Sequence, residues 1–205
     1  MADLVKVELG VIQETLFIPL VARARETRRR RPVLRDPKAA EILASVDYDT
    51  KKYGRGWGGG VTVLRTAILD CWASDFLAEH PDGTVVEIGT GLNSRFDRVG
   101  NDQVHWIDLD LPDTIDLRRR FFADSGRRRM VAASVLDQDW APVVADSPGP
   151  YLFVAEGVLA YLDQAPQVVS RIAGSFPGAL IAFDTYSQRM LEQQHKMAAR
   201  KNMDA

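Results

Sequence analysis

Cysteine is almost absent: the 205 residues contain one, Cys71, which excludes an internal disulfide. Set in an apolar helical run, it is expected to be buried packing. Histidine is scarce too. His80, His105 and His195 are scattered without metal-ligand spacing, so no metal site is expected. An excess of positive charge is missing, with a formal net charge of −2, which argues against a general field for nucleic acid or an anionic membrane. Long apolar runs are missing as well: Asp3, Lys6 and Glu8 precede "VIQETLFIPLVARAR", which matches neither a signal h-region nor a membrane span. Together these absences predict a soluble, cytoplasmic protein whose partner is a small molecule or another protein.

What is present is globular in composition, 46% hydrophobic and 26% charged, and fits one compact domain with an N-terminal extension. Leu16, Leu20 and Ala24 recur at helical spacing, with Pro19 as a kink or break and Arg28 to Arg31 closing the segment. Asp36-Pro37 reads as an N-cap and first helical position, followed by an apolar face of Ala40, Ile42, Leu43 and Val46. "DYDTKKYGRGWGGG" reads as a loop carrying Tyr48, Tyr53 and Trp57. Val61, Leu64, Ile68, Trp72 and Phe76 step by three and four and predict a long helix ending before Pro81-Asp82-Gly83. Beyond it, "TVVEIG", "VHWIDLD", "RMVAAS", "YLFVAEG" and "ALIAFDT" read as short strands separated by helices or loops. That alternation predicts an α/β fold with a mostly parallel sheet flanked by helices.

In such sheets ligands bind beyond the carboxyl ends of the strands. Those ends carry Glu87 and Gly89, then Asp108 and Asp110, Ser134, Glu156 and Asp184, so acids dominate the expected rim. Gly89 and Gly91 with Asp110 give a partial dinucleotide fingerprint whose third glycine is replaced by Ser94. S-adenosyl-L-methionine also has a ribose for the acid, but it carries a sulfonium and an ammonium in place of phosphate. A carboxylate about 4 Å from such a cation contributes on the order of 4 kcal/mol, and would oppose a pyrophosphate by a similar amount. Glu87 and Glu156 therefore favour the cationic cofactor, the plainer reading of Glu87 being a cap or loop-ordering group. Tyr161 and Trp106 are expected to be core or rim packing. The runs Arg28 to Arg31, Arg118 to Arg120 and Arg127 to Arg129 are expected to be solvated helix ends.

"VVEIGTGLNSR", "HWIDLDLP", "AASVLDQDW" and "VAEGVLAYL", with "VARARET", "LRDPKAAEIL" and "VLRTAILD", resemble the leucine carboxyl methyltransferase superfamily, in its bacterial branch of tetracenomycin-type polyketide O-methyltransferases. The resemblance runs from about Thr15 to Tyr186. It implies a Rossmann-like class I methyltransferase fold and an O-methyl transfer to a small aromatic, polyketide-like or carboxyl acceptor. By the same resemblance Arg65 pairs with the cofactor carboxylate, Gly89 and Gly91 line its methionine moiety, and Asp110 accepts from the ribose hydroxyls. Asp108, on the same strand face, is the alternative ribose partner. Ser134 and Val135 fall where the family contacts adenine, and Glu156 where it keeps an acid near the cofactor. No catalytic base is assigned.

Residues 1–60 are expected to form a helical extension or lid and residues 61–205 the cofactor-binding domain, so that removing residues before Val61 weakens acceptor use more than cofactor binding. Members of the family usually continue past the fifth strand into an antiparallel pair, whereas this sequence reaches "MAARKNMDA" soon after "ALIAFDTYS". The expected shortening of the C-terminal strands leaves three outcomes: a shortened product, a homodimer across that edge, or cofactor binding without efficient turnover. The competing readings are a non-catalytic module of the same fold and an NAD(P)-dependent reductase.

Overall fold

Val86 and Ile88 point to one face of the first central strand and Val85 and Glu87 to the other, and all four are buried, so both faces of the strand are covered. The computed structural model describes residues 5–6, 13–47, 49 and 58–187. The chain starts with β1 (Val5–Lys6), a 3-10 turn at Gln13–Leu16, α1 (Phe17–Thr27), α2 (Pro37–Ser45) and β2 (Val46–Asp47), which pairs in parallel with β1. The long α3 (Gly58–Glu79) precedes β3 (Thr84–Ile88), α4 (Arg95–Val99), β4 (His105–Asp110), α5 (Pro112–Arg118) and β5 (Arg128–Ala132). Then come α6 (Trp140–Ala145), β6 (Tyr151–Ala155), α7 (Ala165–Ser175) and β7 (Leu180–Phe183).

The five long strands form one parallel sheet in the order β5-β4-β3-β6-β7. The chain thus winds outward from β3 to β5 and restarts at β6 on the other side, so the topology switches between β3 and β6. This is the doubly wound, Rossmann-like arrangement of class I methyltransferases. Val86, Ile88, Ile107, Leu109 and Phe153 pack one face against Trp140, Val144, Val168, Ile172 and Phe176 of α6, α7 and its C-cap. Val85, Trp106, Leu152 and Val154 pack the other face against Leu69, Ala73, Phe76 and Leu77 of α3. Trp106 is core, as expected.

The N-terminal helices are not set apart from this body. Phe17, Leu20 and Ala24 of α1 and Ala39 and Ile42 of α2 share a cluster with Leu92, Ile115, Leu117 and Phe122. Asp36 caps α2 by accepting from Ala39 N at 2.8 Å, with Pro37 at the first position. Pro19 does not break α1, because it falls in the first turn, where its missing N–H would have no helical partner. Tyr48, Tyr53 and Trp57, offered as lid residues, lie outside the described residues.

Two packing expectations are corrected. Val61, Leu64, Ile68 and Trp72 are exposed on α3, while Val63, Thr66, Leu69, Asp70, Ala73, Phe76 and Leu77 face inward. The helix carries apolar side chains nearly all round, so spacing alone could not say which stripe meets the sheet. Cys71 is likewise exposed, because it lies on the outer side of the same helix. Among the described residues no helix is long and apolar enough to cross a membrane.

The facing of α3 can be checked with two leucines, of which Leu69 is 2% and Leu64 52% exposed. Leu69→Ala should lower unfolding free energy by about 2–5 kcal/mol in urea titrations. Leu64→Ala should change it by less than about 1 kcal/mol; equal losses would reverse the assignment.

Candidate functional site

The turn after β3 depends on glycine. Gly89 and Gly91 have φ of 63° and 49°, in the left-handed region that disfavours side chains. A Cβ on Gly89 would come within 2.3 Å of Val158 Cγ2, so the turn lies directly against the loop after β6. Leu16 covers Gly91, where an added Cβ would meet the leucine Cβ at 3.4 Å. Gly89 N donates to Leu109 O at 2.8 Å, which ties the turn to the end of β4.

Asp110 ends β4 and reaches back over that turn. Its Oδ2 accepts from Gly91 N at 2.7 Å and its Oδ1 from Leu111 N at 2.7 Å. No arginine or lysine forms an ion pair with it among the described residues. Burial raises its pKa above the usual aspartate value, against the two amide hydrogen bonds. Asp108, two residues earlier, has a different environment: it is fully buried, with Arg118 Nη2 on Oδ1 and Arg128 Nε on Oδ2, both at 2.9 Å. Thr90 Oγ1 and Trp106 Nε1 also donate to Oδ1. One residue from each of two arginine runs expected to be solvated, Arg118 and Arg128, is therefore interior, and the others, Arg119, Arg120, Arg127 and Arg129, are exposed. Arg28 to Arg31 are exposed as expected.

Behind the turn lies a larger ionic cluster centred on Arg95, the first residue of α4 and fully buried. Its Nε donates to Asp70 Oδ1 at 2.8 Å, Nη1 to Glu87 Oε1 at 2.5 Å and Nη2 to Glu156 Oε2 at 2.5 Å. Arg98, one turn on, bonds Asp70 and Asp36, and Asp36 in turn holds Ser94 Oγ and Arg23. Arg23 Nη2 closes the circuit on Leu92 O at 2.9 Å. Arg65 bridges Glu156 and Asp184, each at 3.2 Å, and Thr66 Oγ1 donates to Glu156 at 2.6 Å. The guanidinium of Arg65 rests on Gly157, where an added Cβ would come within 3.1 Å of it.

Glu87, Asp108, Glu156 and Asp184 at the rim are thus matched by arginines, with Asp110 the exception, which corrects the expectation of a mouth with surplus negative charge. Glu156 is buried, which alone would raise its pKa, but Arg95 and then Arg65 pull it down to about 2. Glu87 goes the other way, its burial outweighing Arg95, and its Oε2 has no hydrogen-bond partner among the described residues. Burial opposes and arginines overcome it at Asp36 and Asp108, both of which are lowered. Ser134 and Val135 are half-buried in the loop after β5, where Trp140 Nε1 and Arg171 Nη1 donate to Val135 O at 3.1 Å. The structure thus lines up Gly89, Gly91, Asp110 and Ser134 along adjacent strand ends, with Glu156 and Arg65 across β3 and Asp108 beneath.

Sequence reasoning missed Arg95, Asp70 and Asn93, whose Nδ2 donates to Glu87 Oε1 at 2.6 Å, and it named Asp184 only as a rim acid. One signal was available: Arg95 opens a helix, where the dipole disfavours a cation, so carboxylates had to be near.

The parallel sheet that switches at β3, its glycine turn and the acid ending the second strand make a Rossmann-like site of the kind that holds a nucleoside-bearing cofactor. Comparison with known proteins narrows this. The leucine carboxyl methyltransferase family matches residues 17–172, and the chain belongs to that family of S-adenosylmethionine-dependent methyltransferases. It is 38% identical over 182 residues to the tetracenomycin polyketide synthesis O-methyltransferase TcmP of Streptomyces glaucescens, covering 87% of this chain and 67% of that protein. It is 29% identical to the S-adenosyl-L-methionine-dependent methyltransferase dpfgK of Gibberella zeae, covering 83% and 63%. The chain spans about two thirds of the length of these curated relatives. Among solved structures, the plantazolicin methyltransferase BpumL in complex with a pentazolic desmethylPZN analog and SAH superposes with a TM-score of 0.48 at 9% identity, over 88% of this chain and 64% of that one.

The ionic cluster predicts how the protein responds to acid. Glu156, Asp36 and Asp108 have lowered pKa values in the fold, so their stabilisation is complete above the ordinary carboxylate range and lost as pH falls through it. Glu87 contributes in the opposite direction. Thermal midpoints should stay level from neutral pH to about 4.5 and fall steeply towards pH 2; a midpoint unchanged at pH 3 would contradict the paired assignments.

Proposed function

We propose that this chain binds S-adenosyl-L-methionine across the ends of β3 and β4 and transfers its methyl group to an oxygen of a small aromatic, polyketide-like or carboxyl acceptor. The observation that carries the reading is Asp110 on Gly91 N. A dinucleotide needs that amide bare for its diphosphate, and here a carboxylate already covers it and would repel the anion. With no cation of its own, the same carboxylate suits two ribose hydroxyls.

The residues fit the cofactor. The Gly89–Gly91 turn leaves only backbone beside the sheet, and Arg65 with Glu156 offers a cation and an anion that can exchange each other for the two ends of a zwitterionic amino acid. In this reading Arg65 holds the cofactor carboxylate, Glu156 the ammonium, Asp110 the ribose, and Ser134 and Val135 the adenine. Asp108 is a support beneath Asp110, because its oxygens are already taken by Arg118 and Arg128. When bound, the cofactor supplies a methyl group already activated as a sulfonium. The chain's own task is to align an acceptor oxygen with it, which accounts for as much as about 7–11 kcal/mol of barrier. The N-terminal segment is here a wall of the cofactor loop more than a free lid, since Arg23 holds Leu92 O and Leu16 lies over Gly91.

Titration calorimetry should show micromolar binding of S-adenosylhomocysteine and none of NAD, with Asp110→Ala weakening the former by about tenfold or more. NAD binding, or an unchanged affinity in the variant, would overturn the reading. For the exposed stripe of α3 beside the outer edge of β7 this reading gives a second copy of the chain as partner. Light scattering at micromolar concentration should report a dimer that Trp72→Lys dissociates; a monomeric wild type rejects it.

A further inference from the structure

Two tyrosines on separate elements meet at the carboxyl end of the sheet, in a part of the site that the cofactor reading does not use. Tyr161 closes the 3-10 turn Leu159–Tyr161 after β6, and Tyr186 follows β7 by three residues. Their hydroxyls are hydrogen-bonded to each other, with the rings edge-on at a centroid distance of 5.8 Å and an interplanar angle of 83°. Tyr161 was expected to be core or rim packing, yet it is 67% exposed, so burial does not explain its position.

The segment that carries Tyr186 is anchored. Asp184 Oδ2 accepts from Arg65 at 3.2 Å and Asp184 Oδ1 from Gly157 N at 2.5 Å. Gly157, with φ of 67°, begins the turn that delivers Tyr161. One carboxylate therefore fixes both tyrosine-bearing segments and the arginine assigned to the cofactor. In a hydroxyl pair one group donates to the other, which leaves one hydrogen free to donate and lone pairs free to accept. The two rings add an aromatic wall beside that hydrogen.

We propose that Tyr161 and Tyr186 form the acceptor-orienting clamp of the transferase, hydrogen-bonding an acceptor oxygen that arrives already ionised on a planar aromatic molecule. This rests on the cofactor reading above. The clamp donates and does not take protons: burial, followed by the hydrogen bond shared with Tyr161, raises the Tyr186 pKa to about 12. The neighbouring carboxylates are held by arginine, Glu156 by Arg95 and Arg65 and Asp184 by Arg65, so they offer no base. An ionised oxygen needs none. Its lone pair forms the new O–C bond as the S–C bonding pair returns to sulfur, and no proton leaves.

The test uses the full chain loaded with S-adenosylhomocysteine and the probes 2-naphthoate and neutral 2-naphthol, by titration calorimetry. Naphthoate should bind the wild type at least about tenfold more tightly than naphthol. Tyr161→Phe and Tyr186→Phe should each weaken naphthoate binding by about tenfold, with the double variant little worse than either single one because the hydroxyls act as a unit. Affinity for S-adenosylhomocysteine should stay within about twofold in all three, far below the tenfold step of 1.4 kcal/mol. Absence of naphthoate binding to the loaded wild type, equal binding of naphthol, unaltered naphthoate affinity in the variants, or a matching loss of S-adenosylhomocysteine affinity would each overturn the clamp. Failure of the wild type to bind S-adenosylhomocysteine would instead remove the cofactor reading.

Discussion

The guanidinium of Arg95 sits inside the protein with a carboxylate on each of its nitrogens, Asp70 from α3, Glu87 from β3 and Glu156 from the loop after β6. An ion in that position is tolerated only if its donors are used, because the desolvation cost is several kcal/mol per charge. Loss of one partner from a buried pair costs about 3–5 kcal/mol, since the remaining charge stays uncompensated. Three elements from both sides of the topological switch are therefore fixed relative to one another by a single side chain, and the glycine turn lies between them. From there the order spreads through Arg98, Asp36 and Arg23 to the carbonyl of Leu92, so α1 and α2 help set the turn's geometry. Their apolar faces do the remaining work of attachment.

Asp108 and Asp110 show how one strand face divides support from recognition. They are two residues apart and point the same way, yet the sheet edge falls between them. Asp108 lies where α5 and β5 can each supply an arginine, and it is neutralised inside the fold. Asp110 lies past the last sheet hydrogen bonds of β3 and keeps only two amide donors. A carboxylate that has capacity left at the mouth of a site can recognise a ligand, and one saturated beneath it can only hold the site in shape. Arg65 also joins the cofactor side of the site to Asp184 and, through it, to the tyrosine pair.

Much of this was legible in order along the chain. All five sheet strands, the capped α2 and the long α3 follow from the periods of two and 3.6 and from turn residues, which are local properties of the backbone. The sequence also located the rim, because in a parallel α/β sheet the residues ending each strand must gather on one side. It misjudged the inner stripe of α3, where apolar residues on every side made the period uninformative, and with it the exposure of Cys71. It also read rim charge from acids alone. Arg118 and Arg128 looked like members of solvated runs, yet each is the one residue of its run that turns inward to Asp108.

The sequence by itself determined the elements, their parallel winding and the positions that face a ligand, because hydrophobic period and turn chemistry act over a few residues. The tertiary structure alone decided the electrostatic character of the site and the face of α3 that is buried. Cancellation of charge is a matter of distance in space: Arg95 reaches Asp70 25 residues earlier and Glu156 61 residues later, and Arg65 reaches Asp184 119 residues away. No local pattern records which of those partners will come within hydrogen-bonding distance of each other.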